Sequence, residues 1–377
     1  MRILVPLWVL IVVLPLVDPS FWNGRRVFLT GHTGFKGSWL LLWLQQLGAE
    51  VWGYALEPEP EPELCLFRQL KLDRPSGKNW HHRSADLADL ISLKEWVQQA
   101  QPEVVLHLAA QPLVRRSYTD PLGTWSTNVQ GSLHLLDALK PLQYPCAVVM
   151  VTTDKVYQNR EWAYGYRESD RLGGHDPYSA SKAAAEIAIA SWRDSFCGSA
   201  SHQTPHLRIA TARAGNVIGG GDWAPDRILP DVMRALASDK PIAVRNPSAT
   251  RPWQHVLEPL SGYLCLAEAL ATNPAPPCEA FNFGPQLESN RPVQDLVAKL
   301  LTHWSGDWVD QSDPNAPHEA GLLHLQIDKA HHRLCWQPRW NFDTTIERTV
   351  GWYRAVHEGA SPLDCCLADL SAYQAAN

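Results

Sequence analysis

A tyrosine and a lysine four residues apart are the side chains of this sequence best suited to proton transfer. Tyr178 and Lys182 lie in the segment Tyr-Ser-Ala-Ser-Lys. Positions four apart share one face of an α-helix. A phenol is a poor base at neutral pH, but a neighbouring ammonium stabilises the phenolate and lowers the pKa of the phenol. The pair could therefore remove a hydroxyl proton from a carbon that is being oxidised, although in isolation it also fits an ordinary surface helix.

Three evenly spaced glycines form a second candidate site. Gly31, Gly34 and Gly37 lie in Thr-Gly-His-Thr-Gly-Phe-Lys-Gly, between a short apolar segment and a leucine-rich one. Glycines at this spacing allow a tight turn and let the backbone approach a pyrophosphate, whose charge the N–H groups of the following helix bind. Such glycines can also form a plain turn, but the predicted strand–turn–helix context favours a bound dinucleotide.

The dinucleotide is predicted to be NAD rather than NADP. No basic residue follows the second predicted strand, where a 2′-phosphate would require one, and Glu57 is a possible acceptor for a ribose hydroxyl. Asp86 and Leu87 are candidates for contact with the adenine. The alternative for this segment, Asp-Leu-Ala-Asp, is a helix cap.

A third group of polar residues follows a predicted buried strand. The segment 152–157 reads Thr-Thr-Asp-Lys-Val-Tyr, so that Asp154 and Lys155 are adjacent acid and base candidates at the carboxyl edge of the sheet. A salt bridge or a turn cap at the strand end is the alternative. For an isolated Thr-Asp-Lys, that alternative would be preferred.

Alternating strands and helices position these candidates. Apolar β-rich segments predict strands at 26–30, 50–55, 104–109, 145–151 and 207–214, with helices at 38–47, 133–139 and 178–195 and one ending near 100. This order predicts an α/β fold, a doubly wound parallel sheet of the Rossmann type. Beyond residue 215, helices near 231–238, 259–271 and 293–302 predict a smaller C-terminal lobe that closes over the carboxyl edge.

An uncharged apolar segment at the start of the sequence stands apart from this pattern. The 15 residues from Ile3 to Val17 are fewer than the roughly 20 that span a bilayer, and no small-residue cleavage site follows them. We favour a misassigned start in which Val17 is the initiating residue, with a weakly membrane-associating extension as the second interpretation. We expect no stable membrane span.

Charge and cysteine usage exclude several classes of function. With 33 basic and 39 acidic residues, the net charge of −6 offers no general footprint for nucleic acid, so no nucleic-acid partner is expected. The 8 cysteines form no CxxC pair and no metal-ligand spacing. We therefore expect reduced thiols, a cytoplasmic location and no bound metal.

Five motifs together resemble a known family. The segments TGHTGFKG, HLAAQ, TTDKVY, YSASK and ARAGNVIGGGDW occur in the order and spacing of the extended short-chain dehydrogenases/reductases. Within that superfamily they are similar to the CDP-glucose 4,6-dehydratases, over about residues 21–341. Two features favour this group over relatives acting on dTDP-glucose or GDP-mannose. One is Lys155, where those relatives carry Glu, and the other is the GGGDW segment followed by Asp226-Arg227 and by Arg251-Pro-Trp-Gln-His-Val.

The resemblance implies a hydro-lyase that uses NAD as an internal redox relay. Tyr178, assisted by Lys182 and Thr153, would take the C4 hydroxyl proton, and Asp154 would protonate the departing C6 hydroxyl. Lys155 stands where the base at C5 is found in the relatives, and that role stays open. The residues implied to line the cofactor, in addition to Tyr178 and Lys182, are Gly31, Gly34, Phe35, Lys36, Gly37, Asp86, Leu87, Ala109, Gln111 and Asn128. The sugar nucleotide, CDP-glucose, would contact Asn216, Arg227 and Arg251, the last suited to a diphosphate by its fork of donors.

The chain is predicted to have three parts, and rival functions stay open. Residues 1–17 are an apolar extension, 18–214 an NAD-binding domain and 215–377 a sugar-nucleotide-binding lobe interleaved with it; a homodimer is expected by analogy. A nucleotide-sugar 4-epimerase would keep Tyr178 and Lys182 but needs no acid–base pair such as Asp154 and Lys155. A non-catalytic dinucleotide-sensing protein would tend to lose the Tyr–Lys pair, which is intact here.

Overall fold

The computed structural model describes residues 17–58, 65–73, 79–198, 206–312 and 321–376. The apolar extension and its alternative start lie outside the described residues, except for Val17, which is buried in the main core. Among the helices of the described ranges, none has the length and apolar character needed to cross a membrane.

Strands and helices alternate through the first two thirds of the chain, and short strands connect the helices of the last third. The strands are β1 (Arg26–Thr30), β2 (Glu50–Ala55), β3 (Trp80–Ser84), β4 (Val104–His107), β5 (Cys146–Val151), β6 (Leu207–Ala214), β7 (Val217–Ile218), β8 (Ile242–Val244), β9 (Thr250–Pro252), β10 (Gln254–His255), β11 (Ala280–Phe283), β12 (Asn290–Pro292) and β13 (Trp308–Asp310). The helices are α1 (Pro19–Trp22), α2 (Phe35–Gln46), α3 (Leu66–Gln69), α4 (Leu90–Ala100), α5 (Val114–Thr119), α6 (Pro121–Trp125), α7 (Gly131–Leu139), α8 (Pro177–Phe196), α9 (Ile228–Ala237), α10 (Leu257–Thr272), α11 (Val293–Leu301), α12 (Asp328–Leu334), α13 (Phe342–His357) and α14 (Pro362–Ala375).

A parallel sheet of seven strands forms the centre of the described chain, in the order β11-β6-β5-β4-β1-β2-β3. The strand order reverses between β1 and β4, which lie side by side although β2 and β3 come between them in the chain. In open α/β sheets, ligands bind outside the carboxyl ends of the strands at such a switch point. The confirmed Rossmann-type fold therefore places the glycine segment after β1 and the segment after β4 at the expected binding crevice.

Side chains alternate between two apolar layers on the faces of this sheet. In β1, Val27 and Leu29 join the core formed with α2 and α10, whereas Phe28 joins the core formed with α4, α7 and α8. The strands are apolar on both faces because each face is covered by helices, as in other parallel sheets.

The predicted elements are present with shifted ends, and two of the seven strands of the central sheet were not predicted. Strands β1, β2 and β6 have the predicted bounds, and β4 ends two residues early, at His107. Helix α2 begins at Phe35, three residues before the predicted start, and Gly37 lies in its first turn. The sequence analysis missed β3, whose Trp-His-His-Arg-Ser sequence lacks an apolar pattern, and β11, a four-residue strand after a proline-rich segment.

Strand β11 lies on the far side of the predicted domain boundary from the other strands of the central sheet. It follows residue 215 in the chain, yet it pairs with β6 at the edge of the central sheet. Helix α10, from the same half of the chain, packs on the sheet beside α2. The central sheet therefore contains strands from both sides of residue 215. The division into an NAD-binding domain and a substrate lobe stays a prediction.

Candidate active site

The glycine segment leaves an open space at the start of α2. Gly31 has a φ of +74°, and a Cβ there would lie 2.7 Å from the backbone nitrogen of Ala109. A Cβ on Gly37 would collide with the carbonyl oxygen of Gly31. At Gly34, by contrast, the nearest atom to an added Cβ is 3.5 Å away, so packing does not require a glycine there. Since no side chain caps α2 after Gly34, the site fits the pyrophosphate of a dinucleotide.

The segments after β4 and before α7 are joined by a buried amide network. The backbone N–H of Gln111 donates to Oδ1 of Asn128 at 2.9 Å, and Nδ2 of Asn128 donates to the hydroxyl of Ser181 at 2.9 Å. Ala109 is fixed beside the glycine segment, because its N–H donates to the hydroxyl of Thr30 at 3.2 Å. Ala109, Gln111 and Asn128 thus hold the switch point against helix α8.

Asp86 and Leu87 lie after β3, at the far side of the crevice. Oδ1 of Asp86 accepts the N–H of Ala88 at 2.9 Å, and Asp89 caps α4 through the N–H of Ser92. Leu87 is buried in the core. The helix-cap alternative is thus correct for the second aspartate of the segment, while adenine contact by Asp86 and Leu87 stays a prediction.

Strand β5 and helix α8 bring the catalytic candidates together. Thr153 and Asp154 follow β5 directly, and Tyr178 lies in the first turn of α8, whose start is capped by Asp176. Thr153, Asp154 and Tyr178 are all buried. The Thr153 hydroxyl hydrogen-bonds to Tyr178 and also donates to Oδ1 of Asp154 at 3.0 Å. The predicted acid and the predicted base therefore share one hydroxyl neighbour.

The phenol of Tyr178 differs from the sequence expectation. Burial raises its pKa to about 12, and the charge of Asp154 adds to that effect, whereas the Thr153 hydrogen bond and the charge of Arg227 oppose it. The pKa of Tyr178 is thus raised, where the sequence predicts that it is lowered. Thr153 and Arg227, which favour the phenolate, are both outside the Tyr–Lys pair. The cause is desolvation, which disfavours an anion more strongly than these neighbours favour it.

Lys182 lies one turn further along α8 and contacts the end of β5. Its ammonium donates to the carbonyl oxygen of Val151 at 3.3 Å. Burial lowers the pKa of Lys182 to about 8, and the carboxylate of Glu186 opposes that shift. The lysine is thus a cation held at the strand end, within the same face of α8 as Tyr178.

Two further cations reach the same region from other parts of the chain. Lys36, in the first turn of α2, has a pKa lowered to about 8 by burial and by the charges of Arg227 and Lys182, with Asp154 opposing. Arg227 donates to the buried carboxylate of Asp222 at 2.8 Å, which raises the pKa of the guanidinium. Lys36, Arg227 and Lys182 therefore lie close enough together for their positive charges to act on one another.

The other predicted substrate residues are the sequence neighbours of two residues that lie close to one another near Asp154. A Cβ on Gly215 would be 2.8 Å from Oδ2 of Asp154 and 3.2 Å from the ring of Pro252. Asn216 and Arg251, the neighbours of these two residues in sequence, are partly exposed. Lys155 is also partly exposed, immediately after Asp154. Phe35 packs against the main core from the start of α2.

The sequence analysis missed the residues that support the site from behind. Glu186 and Arg213 form a buried ion pair at 2.9 Å below Lys182, and Asp222 orients Arg227. Glu186 could have been found by its spacing, since it repeats the Tyr178-to-Lys182 interval. Arg213 and Asp222 carry no such local signal. In the described ranges, no group of three or more His, Cys, Asp or Glu side chains could hold a metal ion.

The fold and the site define a class of protein. A doubly wound sheet with a glycine segment after β1 and a Tyr–Lys helix beside β5 is the arrangement of the short-chain dehydrogenases/reductases. The chain belongs to the NAD dependent epimerase/dehydratase family, whose model matches residues 27–284. The cofactor is accordingly NAD.

Curated relatives and solved structures agree with this assignment. The chain is 45% identical over 363 residues to the CDP-glucose 4,6-dehydratase of Salmonella typhimurium. The alignment covers 96% of this chain and 99% of the relative. It is 31% identical over 260 residues to the dTDP-glucose 4,6-dehydratase of Streptomyces antibioticus, which covers 68% of this chain and 71% of that one.

Among solved structures, the dTDP-glucose 4,6-dehydratase of Streptomyces venezuelae with NAD and TYD bound matches with a TM-score of 0.74 at 22% identity, covering 90% of this chain and 100% of that one. The UDP-glucuronic acid 4-epimerase of Bacillus cereus matches with a TM-score of 0.74 at 21% identity, covering 88% and 99%. At these identities the two structures support the fold.

Proposed function

We propose that this protein dehydrates CDP-glucose to CDP-4-keto-6-deoxyglucose, with NAD as an internal redox relay. The observation that carries the proposal is the buried Thr153–Asp154–Tyr178 group, which combines an acid with a base in a chain that is 45% identical to a CDP-glucose 4,6-dehydratase. A 4-epimerase needs the base but has no use for the acid.

The first half of the reaction removes the hydroxyl proton at C4. Tyr178 accepts that proton, and its hydrogen bond with Thr153 together with the charge of Arg227 favours the phenolate against the cost of burial. Lys182 adds a positive charge one helical turn away. Bound NAD would supply a reversible hydride acceptor. The hydride taken from C4 would be returned to C6, without net use of the cofactor.

The second half of the reaction loses water across C5 and C6. The C4 ketone makes the C5 proton acidic, and Asp154 protonates the departing C6 hydroxyl. Lys155 is the candidate base at C5, in the position next to the acid. To act so it must be deprotonated, and the residue is partly exposed.

The chain's own residues hold the two ligands. The glycine segment, Lys36, Ala109, Gln111 and Asn128 bind the cofactor, with Asp86 and Leu87 at its adenine. Asn216, Arg227 and Arg251 bind the sugar nucleotide, for which guanidinium groups suit the diphosphate. In this proposal residues 18–214 form the NAD-binding domain and residues 215–377 the interleaved substrate lobe.

Incubation with CDP-glucose, dTDP-glucose and UDP-glucose in the presence of NAD tests the function. Keto-sugar formation is followed by its absorbance in alkali. We expect CDP-glucose to be converted in strong preference to the other two. Conversion of the dTDP sugar alone would contradict the substrate, and formation of a C4 epimer without keto sugar would contradict the reaction.

A cytoplasmic homodimer is part of the same proposal. Helices α5, α6 and α8 pack on one another and expose Tyr118, Leu122, Trp125 and Ile187, with Leu122 83% and Ile187 59% exposed. An apolar surface of this kind is typical of a protein–protein interface. Light scattering should give the mass of a dimer for the wild type and of a monomer for Leu122→Glu combined with Ile187→Glu. Leu287→Glu, at an equally exposed leucine elsewhere, is the control, and a monomeric wild type would contradict the dimer.

A further inference from the structure

A buried carboxylate lies one helical turn beyond Lys182, where neither the sequence motifs nor the proposed reaction assigns it a role. We infer that Glu186, paired with Arg213, is a positioning residue of the proposed reaction. The pair joins helix α8 to the carboxyl ends of β5 and β6 and places a negative charge beneath Lys182. The inference rests on the proposed function, because it concerns how that reaction's base and cation are held.

The hydrogen bonds of Glu186 use both of its carboxylate oxygens. Oε1 accepts from the hydroxyl of Thr152 at 2.5 Å and from Nε of Arg213 at 3.0 Å. Oε2 accepts from the hydroxyl of Thr211 at 2.8 Å and from Nη2 of Arg213 at 2.9 Å. This fork-to-fork geometry is the strong form of an Arg–carboxylate pair, and it fixes the orientation of both groups.

Three turns of α8 each contact one of three successive residues at the end of β5. Tyr178 hydrogen-bonds with Thr153, Lys182 donates to the carbonyl oxygen of Val151, and Glu186 accepts from Thr152. The positions 178, 182 and 186 lie on one helical face. Glu186 is therefore the third anchor of the register that sets Tyr178 and Lys182 against the strand end.

Arg213 makes this anchor rigid and keeps it charged. The guanidinium is 4% exposed, and its Nη1 also donates to the hydroxyl of Tyr157 at 2.8 Å and to the carbonyl oxygen of Glu168 at 3.1 Å. Burial would raise the pKa of Glu186, but the charge and hydrogen bonds of Arg213 lower it below its ordinary value. Glu186 is consequently an anion at neutral pH.

The negative charge acts on Lys182, whose ammonium burial disfavours. Glu186 is the charge that opposes this effect and holds the pKa of Lys182 at about 8. Two further titratable groups on neighbouring elements interact with the charge of Lys182, namely Lys36 on α2 and His107 on β4. Asp154 interacts with the same Lys36, Tyr178 precedes Lys182 by one turn of α8, and Arg213 on β6 is paired with Glu186.

The pH profile of kcat tests the inference with Glu186→Gln. Because Lys182 acts as a cation, activity should fall as the pH rises through its pKa, so the wild type should lose activity above a pH of about 8. Loss of the negative charge should move this alkaline limb down by about one pH unit or more. Glu186→Asp should return the limb toward the wild-type position. Thr211→Val removes one hydrogen bond to the carboxylate without changing charge, and should leave the limb in place.

A second variant guards against simple misfolding. Glu186→Gln alone leaves the buried Arg213 guanidinium without its charged partner, which strongly destabilises a fold. The double variant Glu186→Gln with Arg213→Gln removes both charges, and thermal unfolding shows whether it folds. A folded double variant whose alkaline limb coincides with that of the wild type would overturn the inference, as would a Glu186→Gln variant that loses kcat with no change in the limb.

Failure of the inference is distinguishable from failure of the proposed function. A wild type that converts no CDP-glucose overturns the function. The effect on Lys182 is then still measured by the thermal unfolding midpoint as a function of pH. A lysine whose pKa is lowered on folding adds stability as the pH rises from its folded to its unfolded pKa. This rise should begin at lower pH in Glu186→Gln than in the wild type, and should be absent from both proteins in a Lys182→Met background. An unchanged onset overturns the inference.

Discussion

At the scale of single residues, the buried phenol of Tyr178 has to act as a base despite a pKa raised to about 12 by burial. The hydroxyl of Thr153 and the guanidinium of Arg227 counter that cost from two other parts of the chain. Proton transfer therefore depends on the Thr153 hydroxyl and on the Arg227 guanidinium, which is distant in sequence, as well as on the Tyr–Lys pair. A variant that lacks the Tyr178 hydroxyl but keeps the aromatic ring isolates the contribution of that hydroxyl to the reaction.

Tyr178→Phe should lower kcat by about 10²–10⁴-fold, because the variant lacks the group that accepts the C4 hydroxyl proton. NAD affinity, measured by calorimetry, should stay close to that of the wild type, since the ring still fills its place. Tyr144→Phe is a matched control, because the Tyr144 hydroxyl is buried without a hydrogen-bond partner. Wild-type turnover in Tyr178→Phe would remove the proposed base.

Asp154→Asn should separate the two halves of the reaction. The amide keeps the size of the side chain but has no acidic proton for the departing hydroxyl. C4 oxidation should continue, so the absorbance of reduced nicotinamide should appear in a single turnover and persist, with no 4-keto-6-deoxy sugar released. Normal release of that product would contradict the acid role.

At the scale of elements, the segment between β1 and α2 combines two kinds of glycine. Gly31 and Gly37 are required by the chain itself, since a Cβ at either would meet backbone atoms. At Gly34 a Cβ would make only an ordinary contact, 3.5 Å from the carbonyl oxygen of Gly31, so the fold does not require a glycine there. Substitution by alanine at one glycine of each kind should separate an effect on NAD binding from an effect on stability.

Gly34→Ala should fold with nearly wild-type stability and bind NAD at least about tenfold more weakly, because a methyl group occupies the space next to the start of α2. Gly37→Ala should instead lower the free energy of unfolding by about 1–3 kcal/mol, because its Cβ collides with the carbonyl oxygen of Gly31. Urea unfolding and NAD titration measure the two effects. Equal NAD affinity in Gly34→Ala and the wild type would contradict the proposed pyrophosphate position.

At the scale of the whole molecule, the helices on the α2 and α10 face connect the ends of the described chain to the sheet. Oε1 of Glu268 in α10 accepts from the indole N–H of Trp22 at 2.6 Å and from the backbone N–H of Asp18 at 3.0 Å. Burial raises the pKa of Glu268 to about 7, against the lowering effect of these hydrogen bonds. This contact couples the position of α1 to the ionisation of a carboxyl group.

Glu268→Gln should change the pH dependence of stability. The folded pKa of Glu268 is raised above its unfolded value, so its contribution to stability is complete at low pH and is lost as the pH rises through about 7. Glutamine keeps the accepting Oε1 and never ionises. The variant should match the wild type near pH 4, below the unfolded pKa, and exceed its free energy of unfolding by about 1–2 kcal/mol near pH 8, allowing for partial exposure.

Urea unfolding at several pH values measures this difference. Glu347→Gln, at an exposed position on α13, is the control for the loss of one carboxylate. A difference between Glu268→Gln and the wild type that stays constant from pH 4 to pH 8 would show that Glu268 has an ordinary pKa.

The sequence by itself determined the elements whose signals are local. The apolar segments of β1, β2 and β6, the glycines at the start of α2 and the Tyr178-to-Lys182 interval all depend on residues a few positions apart, and the motifs sufficed to predict the fold class, the family and NAD. Hydrophobic alternation and helical spacing are properties of short windows, which is why these predictions were confirmed.

Only the tertiary structure decided how distant segments meet. The polar sequence of β3 and the four residues of β11 are strands because neighbouring strands offer them hydrogen bonds, and no local pattern records this. The same is true of Arg227 near Tyr178 and of Arg213 on Glu186, whose partners lie tens of residues away. Desolvation, which raises the pKa of Tyr178 where the sequence predicts a lowered value, exists only after these segments have packed and excluded water.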